Sequence, residues 1–420
     1  MLLVKKSSKK VFTVLFILTC IADTARWNSL TNPFFPYFVL MVLFLFTFWF
    51  FIKFARGEKQ NFETIDNQLL RLYFIYVIIS VLRGALFEAN GYWEYKALMT
   101  NTFTLLLPIC IYFFAQPYNF KCALNIWVRK MLPLFFILGP FLSKDVVGYY
   151  LAPSMTLALF LPCYKTKWKI VVLICLLISI FSYFGARAII LKNMMVIFLA
   201  VLFYYIRISE RLMKIMRTLM IVFPMVFLFL GVMGYYNVFE FGEGSTGNYE
   251  INSVSGKSTE DLTADTRTGI YMDSWNSLSK NNAVIWGVSP ARGYECSSAY
   301  ETFEILRLKG NTNLRLERSS SEVGIINIFC WEGILGVILF SLLFFRASYL
   351  AIYKSNNVYV KAFGVFCAFR WLMSFIEDYY CFDLKGMSLW WIIAVCLSCE
   401  FRKMTDEDVK KWASGFFGRQ

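Results

Sequence analysis

The chain contains no histidine, so its arginines, carboxylates, hydroxyls and thiols must carry any polar chemistry. Arg187 stands out first, in Gly185-Ala-Arg-Ala between two apolar runs with no room for a loop. A guanidinium held at a membrane edge suits phosphate, because its fork binds two oxygens and keeps its charge. The competing reading is an arginine that snorkels to ordinary headgroups. Arg267, in Asp265-Thr-Arg-Thr-Gly, precedes a predicted helix, where free amides and a cation together attract anions. The competing reading is a solvated cap with Asp265. Arg292 sits in Trp286-Gly-Val-Ser-Pro-Ala-Arg-Gly-Tyr, where a Gly/Pro turn can aim a side chain. Glu322 begins the next apolar run. A partly desolvated carboxylate there has the character of a general base, and a helix-start acid favoured by the dipole is the alternative. Arg83 and Arg370 also fall within apolar runs, where pairing with Glu88 and with Glu377 or Asp378 is the simpler explanation.

These residues are set among elements that composition largely defines. Hydrophobic residues make up 58% of the chain and charged residues only 17%, well away from the balance of a soluble domain. The apolar residues gather in runs such as 34–51, 170–184 and 219–234, long enough to cross a bilayer as helices. The expected fold is an all-α polytopic membrane bundle with about twelve spans, near 10–22, 33–52, 69–87, 97–115, 128–143, 146–163, 169–185, 188–206, 218–237, 322–345, 358–377 and 387–400. The net charge of +14 lies mostly between the runs, which argues for a membrane and against nucleic acid. With the amino terminus inside, inner segments carry twenty-five Lys and Arg and short outer segments carry five. That asymmetry predicts both termini in the cytoplasm. Residues 1–237 then hold nine helices, 238–321 form one large extracytoplasmic loop, 322–400 hold three helices, and 401–420 form a cytoplasmic tail. The first run follows Lys5, Lys6, Lys9 and Lys10 without a small-x-small cleavage site, and so reads as a retained helix.

The loop changes character along its length. Residues 243–261 are rich in Gly, Ser, Thr, Asn and acids and are expected to pack poorly. Over 268–288, Ile270, Tyr271, Trp275, Leu278 and Ile285 recur at rough helical spacing, and Gly287, Pro290 and Gly293 then mark turns. Most of the eleven cysteines fall in apolar runs as small core residues. Cys296 and Cys381 fall in predicted outer segments and could pair. Without His or CxxC, no zinc or haem site is expected, and no cofactor.

Three patches together resemble the O-antigen polymerases and O-antigen ligases of bacterial surface polysaccharide synthesis. They are Gly-Ala-Arg-Ala around Arg187, Asp-x-Arg at 265–267 followed by an aromatic-bearing helix and Gly287-Val-Ser-Pro, and Ser321-Glu-x-Gly with Glu332-Gly-Ile-Leu-Gly. The resemblance spans about residues 170–345 and rests on the order of the patches more than on any one. The ligase branch typically has a histidine near 319–322, and this chain has none, which favours the polymerase branch.

The resemblance implies a metal-independent glycosyltransferase at the outer face of the bacterial inner membrane. It would join oligosaccharide repeat units carried on undecaprenyl pyrophosphate, with membrane lipid and a chain-length regulator as further partners. Arg187, Arg267 and Arg292 would hold the pyrophosphate. Glu322, or Asp265, would take the acceptor proton. Tyr294, with Tyr271 and Trp275, would stack on sugars, although core packing is the simpler role for each. A ligase with another base and a lipid-linked-sugar flippase remain the alternatives.

Overall fold

The computed structural model describes residues 6–26, 34–56, 61–139, 142, 144–236, 250–252, 259–261, 267–297, 315–377 and 381–416. It is a helical bundle. The helices are α1 (Lys6–Arg26), α2 (Phe34–Ala55), α3 (Thr64–Arg83), α4 (Tyr92–Leu106), α5 (Ile111–Phe114), α6 (Pro117–Ile126), α7 (Leu132–Leu138), α8 (Lys144–Tyr150), α9 (Pro153–Ala158), α10 (Thr166–Phe181), α11 (Arg187–Val201), α12 (Glu210–Val232) and α13 (Thr268–Lys280). After them come α14 (Gly324–Tyr353), α15 (Val358–Met373), α16 (Leu384–Leu397), α17 (Cys399–Lys403) and α18 (Asp406–Ser414). Two short antiparallel ladders are the strands among the described residues. β1 (Glu250–Asn252) pairs with β2 (Thr259–Asp261), and β3 (Tyr294–Glu295) with β4 (Glu317–Arg318). The rest of the 243–261 segment lies outside the described residues.

Six helices are long and apolar enough to cross a membrane: Phe38–Ala55, Thr64–Glu88, Tyr92–Phe114, Arg187–Ile206, Glu210–Val232 and Gly324–Tyr353. Their apolar side chains also face outward. On α12, Val222, Phe223, Val226 and Phe229 are all exposed, as are Leu45, Phe46 and Trp49 on α2. A helix apolar all round with little protein cover is stable in lipid and not in water. Shorter apolar helices occupy Lys10–Ala22 and Leu384–Leu397.

Eight of the twelve expected spans fall on these elements, and 169–185 and 358–377 fall on the 16-residue helices α10 and α15. The remaining two do not form single long helices. Over 128–143, a π-helical turn (Trp127–Met131) leaves Arg129 and Lys130 exposed in mid-helix. Over 146–163, Pro153 and Pro162 restart the chain as short segments, because proline lacks the donor that continues a helix.

The core lies where α14, α15 and α16 meet. Every residue of α16 is buried. Trp331, Trp371, Trp390 and Trp391 are packed there, with the Trp371 indole donating to Ser341 Oγ at 3.0 Å. Asp383 caps α16 by accepting from the Gly386 N–H at 2.6 Å. At the far end of α14, Arg346 bonds Asp66 Oδ1 at 2.6 Å and Glu63 Oε2 at 2.7 Å, and Arg402 bonds Glu63 Oε1 at 3.0 Å. This knot ties α3, α14 and α17 together. Arg346→Ala leaves Asp66 buried without its cation, and is expected to cost about 3 kcal/mol, read as a lower thermal midpoint in detergent.

The helix α14 is interrupted at Gly333, whose φ of 65° and ψ of −167° are not helical. The segment 284–289 is spliced into the gap. Val288 N–H donates to Cys330 O at 2.8 Å and Ser289 N–H to Trp331 O at 3.1 Å. Ile334 N–H donates to Val284 O at 2.9 Å and Leu335 N–H to Ile285 O at 3.3 Å. In an unbroken helix, residues 334 and 335 would donate to 330 and 331. The splice therefore satisfies these four backbone groups, each of which is costly to leave unpaired within a membrane.

Candidate functional site

The splice anchors one wall of a polar cleft. Immediately after it, Pro290 O accepts from Asn101 Nδ2 on α4 at 2.9 Å, and Arg292 and Gly293 follow. The opposite wall is β4, where Tyr294 pairs with Arg318 and Glu295 with Glu317. Gly293 is required at this approach, since a Cβ there would lie 1.9 Å from the Arg318 carbonyl oxygen. The cleft encloses about 330 Å³ between α4, the 291–293 turn and 315–320.

Arg292 is the hub. Its Nε donates to both Glu317 oxygens at 3.2 Å, and its Nη2 also bonds Glu317 Oε1. Nη1 reaches Glu88 Oε2 at 3.4 Å and Nη2 reaches Asn281 Oδ1 at 3.3 Å. Burial works against the Arg292 charge, but the Glu317 and Glu88 carboxylates outweigh it and hold the guanidinium above its ordinary value. Arg315 Nη1 lies 3.8 Å from Glu88 Oε2. Arg318 Nη2 lies 2.5 Å from Glu322 Oε1. The lining thus carries four cations (Lys96, Arg292, Arg315, Arg318) and two carboxylates (Glu94, Glu317). Glu88 and Glu322 at its margins bring the charges level. One aromatic ring, the exposed Trp93, joins the lining. Balanced donors and acceptors beside an exposed ring suit a hydroxyl-rich ligand better than a bare anion.

The residues singled out from the sequence are distributed unevenly over this geometry. Arg292, Tyr294 and Glu322 are gathered around β3 and β4. Glu322, expected to be partly desolvated at a helix start, is instead 58% exposed in its side chain and paired with Arg318, because α14 begins two residues later at Gly324. Tyr294 is 1% exposed, so its ring packs in the core and is not a stacking surface, and burial pushes its hydroxyl pKa up. Arg267 caps α13 from outside the cleft. Its Nε donates to Ile376 O at 2.6 Å and its Nη2 lies 4.0 Å from Glu377, while Tyr271 Oη donates to Phe375 O at 2.7 Å. These two residues fasten α13 to the end of α15. Arg187 opens α11, half-buried, and does not line the cleft. Asp265 lies outside the described residues. Trp275 is exposed and stacks on Phe329 at 6.1 Å. Arg83 pairs with backbone carbonyls, not with Glu88, and Arg370 is buried. No disulfide joins Cys296 to Cys381.

Glu317, Arg315, Arg318, Asn101 and Trp93 were not anticipated, and Glu88, expected beside Arg83, meets Arg292 instead. Only the charged run at 315–322 hinted at some of them, since their partners lie far away in sequence. The chain matches no family model, no curated protein and no solved structure.

Proposed function

We propose that this chain is a membrane glycosyltransferase that joins lipid-pyrophosphate-linked oligosaccharide units into a surface polysaccharide, with the Arg292 cleft as its glycan site. The observation that carries the reading is the cleft itself. Paired guanidiniums and carboxylates with the exposed Trp93 ring beside them lie against membrane-length helices. In this reading the bundle has about twelve spans, both termini are cytoplasmic, and the cleft opens at the outer face of a bacterial inner membrane. The acceptor hydroxyl attacks the anomeric carbon, the bond from that carbon to the phosphate oxygen breaks, and the electron pair leaves with the pyrophosphate. Arginines stabilise that charge as it develops. Glu322, exposed beside Arg318, takes the hydroxyl proton. Glu317 stays committed to holding Arg292.

The purified full chain in detergent is expected to lengthen a lipid-linked oligosaccharide without other enzymes, giving a ladder of repeat units on a gel. A single unextended unit under all conditions would sink the assignment. The broken helix α14 favours one second reading, a lipid-linked-sugar flippase, because interrupted membrane helices often line transport sites. A flippase would move the labelled lipid across a vesicle bilayer and leave its glycan unextended.

A further inference from the structure

Glu332 lies at the last residue before the break in α14, about 12 Å of helix rise beyond Gly324. It is 1% exposed, and neither carboxylate oxygen receives a hydrogen bond among the described residues. Buried carboxylates in folded proteins are almost always hydrogen-bonded, and an orphaned one asks for a functional account. Of the groups around it, the Ser80 hydroxyl faces the carboxyl and the others are engaged with backbone carbonyls. Tyr76 Oη donates to the Glu332 carbonyl at 2.6 Å, and Ser80 Oγ lies 3.4 Å from Trp331 O. Arg83 gives Nη2 to the carbonyls of Trp286 and Gly287, at 3.1 and 2.9 Å, while its own Nε is buried without a partner. The side chain also has a space made for it. A Cβ at Gly336 would fall 2.0 Å from Glu332 Cβ, so only glycine one turn on leaves room for the carboxyl.

We propose that Glu332 is a proton-exchanging carboxyl seated at the helix break, with Arg83 as its alternative partner. With the proton bound, the neutral acid needs no cation, and Arg83 clamps the 284–289 splice through its carbonyls. When the proton leaves to water, the O–H bond breaks and a carboxylate remains. That charge draws the Arg83 guanidinium off the carbonyls and loosens the splice, which carries Arg292 into the cleft. The titratable groups within electrostatic reach of Glu332 are Arg83, Tyr73 and Tyr76, all on α3. Arg83 is the one cation among them, and the Ser80 hydroxyl on the same helix also faces the carboxyl. The inference does not depend on the glycosyltransferase reading, because a proton site at the break serves an enzyme or a flippase alike.

The test is modification of the full chain in its native membranes by dicyclohexylcarbodiimide, which adds to protonated carboxyls in apolar surroundings, followed by peptide mass spectrometry. An adduct on Glu332 is expected near neutral pH, falling several-fold as the pH is raised, and absent in E332Q. In Arg83→Gln the same adduct is expected to persist to higher pH, because the cation that favours ionisation is gone. Failure to modify Glu332 at any pH in membranes that hold the folded full chain would overturn the proposal. So would an adduct that forms equally at every pH, or a pH profile that Arg83→Gln leaves in place.

Discussion

Arg292→Lys is expected to lower polysaccharide formation by roughly 100-fold, the scale of losing one oriented donor in an active site, while the protein still inserts and purifies normally. The charge survives this change, so an effect must come from geometry. Arg292 grips Glu317 through two nitrogens and reaches Glu88 and Asn281 with the rest of its fork. A lysine ammonium is a point donor and cannot reproduce that planar set. Glu317 would then swing free, and with it the Gly293 N–H that it holds at 3.3 Å. The measurement is ladder length in cells and in the purified assay, with circular dichroism to confirm the fold. Lys280→Ala is the control. It removes an exposed pair with Glu295, which contributes at most about 1 kcal/mol, and chain length is expected to stay normal. If Arg292→Lys gives normal ladders, the cleft is not the glycan site.

Gly333→Ala and Gly287→Ala are expected to destabilise the protein more than any other single change in the splice, by at least about 3 kcal/mol, combining left-handed strain with a steric clash. The two glycines face each other. A Cβ on Gly287 would come 2.4 Å from the Trp331 carbonyl carbon and oxygen, and one on Gly333 would come 2.3 Å from Ile285 O. Both have positive φ, 69° and 65°, a region that a side chain strains. No flexible side chain can move aside, because the atoms in the way are backbone. Displacing either strand would also orphan the carbonyls of Cys330 and Trp331 and the N–H groups of Ile334 and Leu335. A lower thermal midpoint and new protease cleavage near 284–289 are the readouts. Wild-type stability in both variants would mean that the splice is not a fixed part of the fold.

Much of the scaffold was legible in the sequence because hydropathy is a local signal. The run at 219–234 is apolar whatever surrounds it, and it forms one exposed-faced helix, α12. Helix starts were legible for the same reason. Arg187 opens α11 and Arg267 sits just before α13, as their flanking residues indicate. The turn around Gly287, Pro290 and Gly293 was also visible, though not what it turns against. Where the sequence misled, a single residue type worked against the run. Arg129 and Lys130 lie exposed in a π-helical turn at the start of one expected span, and prolines at 153 and 162 broke another.

The sequence by itself determined that the chain is built on helical runs of membrane length and that, lacking histidine, it draws its polar chemistry from other side chains. Only the tertiary structure decided which of these residues meet. Arg292 and Glu88 are 204 positions apart, and Arg83 and Gly287 likewise. Pairings at that separation depend on how helices pack, and no local pattern encodes them. The same holds for Glu322 and Glu332. Both are acids near the start of one apolar run, yet one is exposed beside an arginine and the other is almost fully buried. The difference comes from tertiary packing, which sets α3 with Tyr76, Ser80 and Arg83 against Glu332 and leaves Glu322 at the surface.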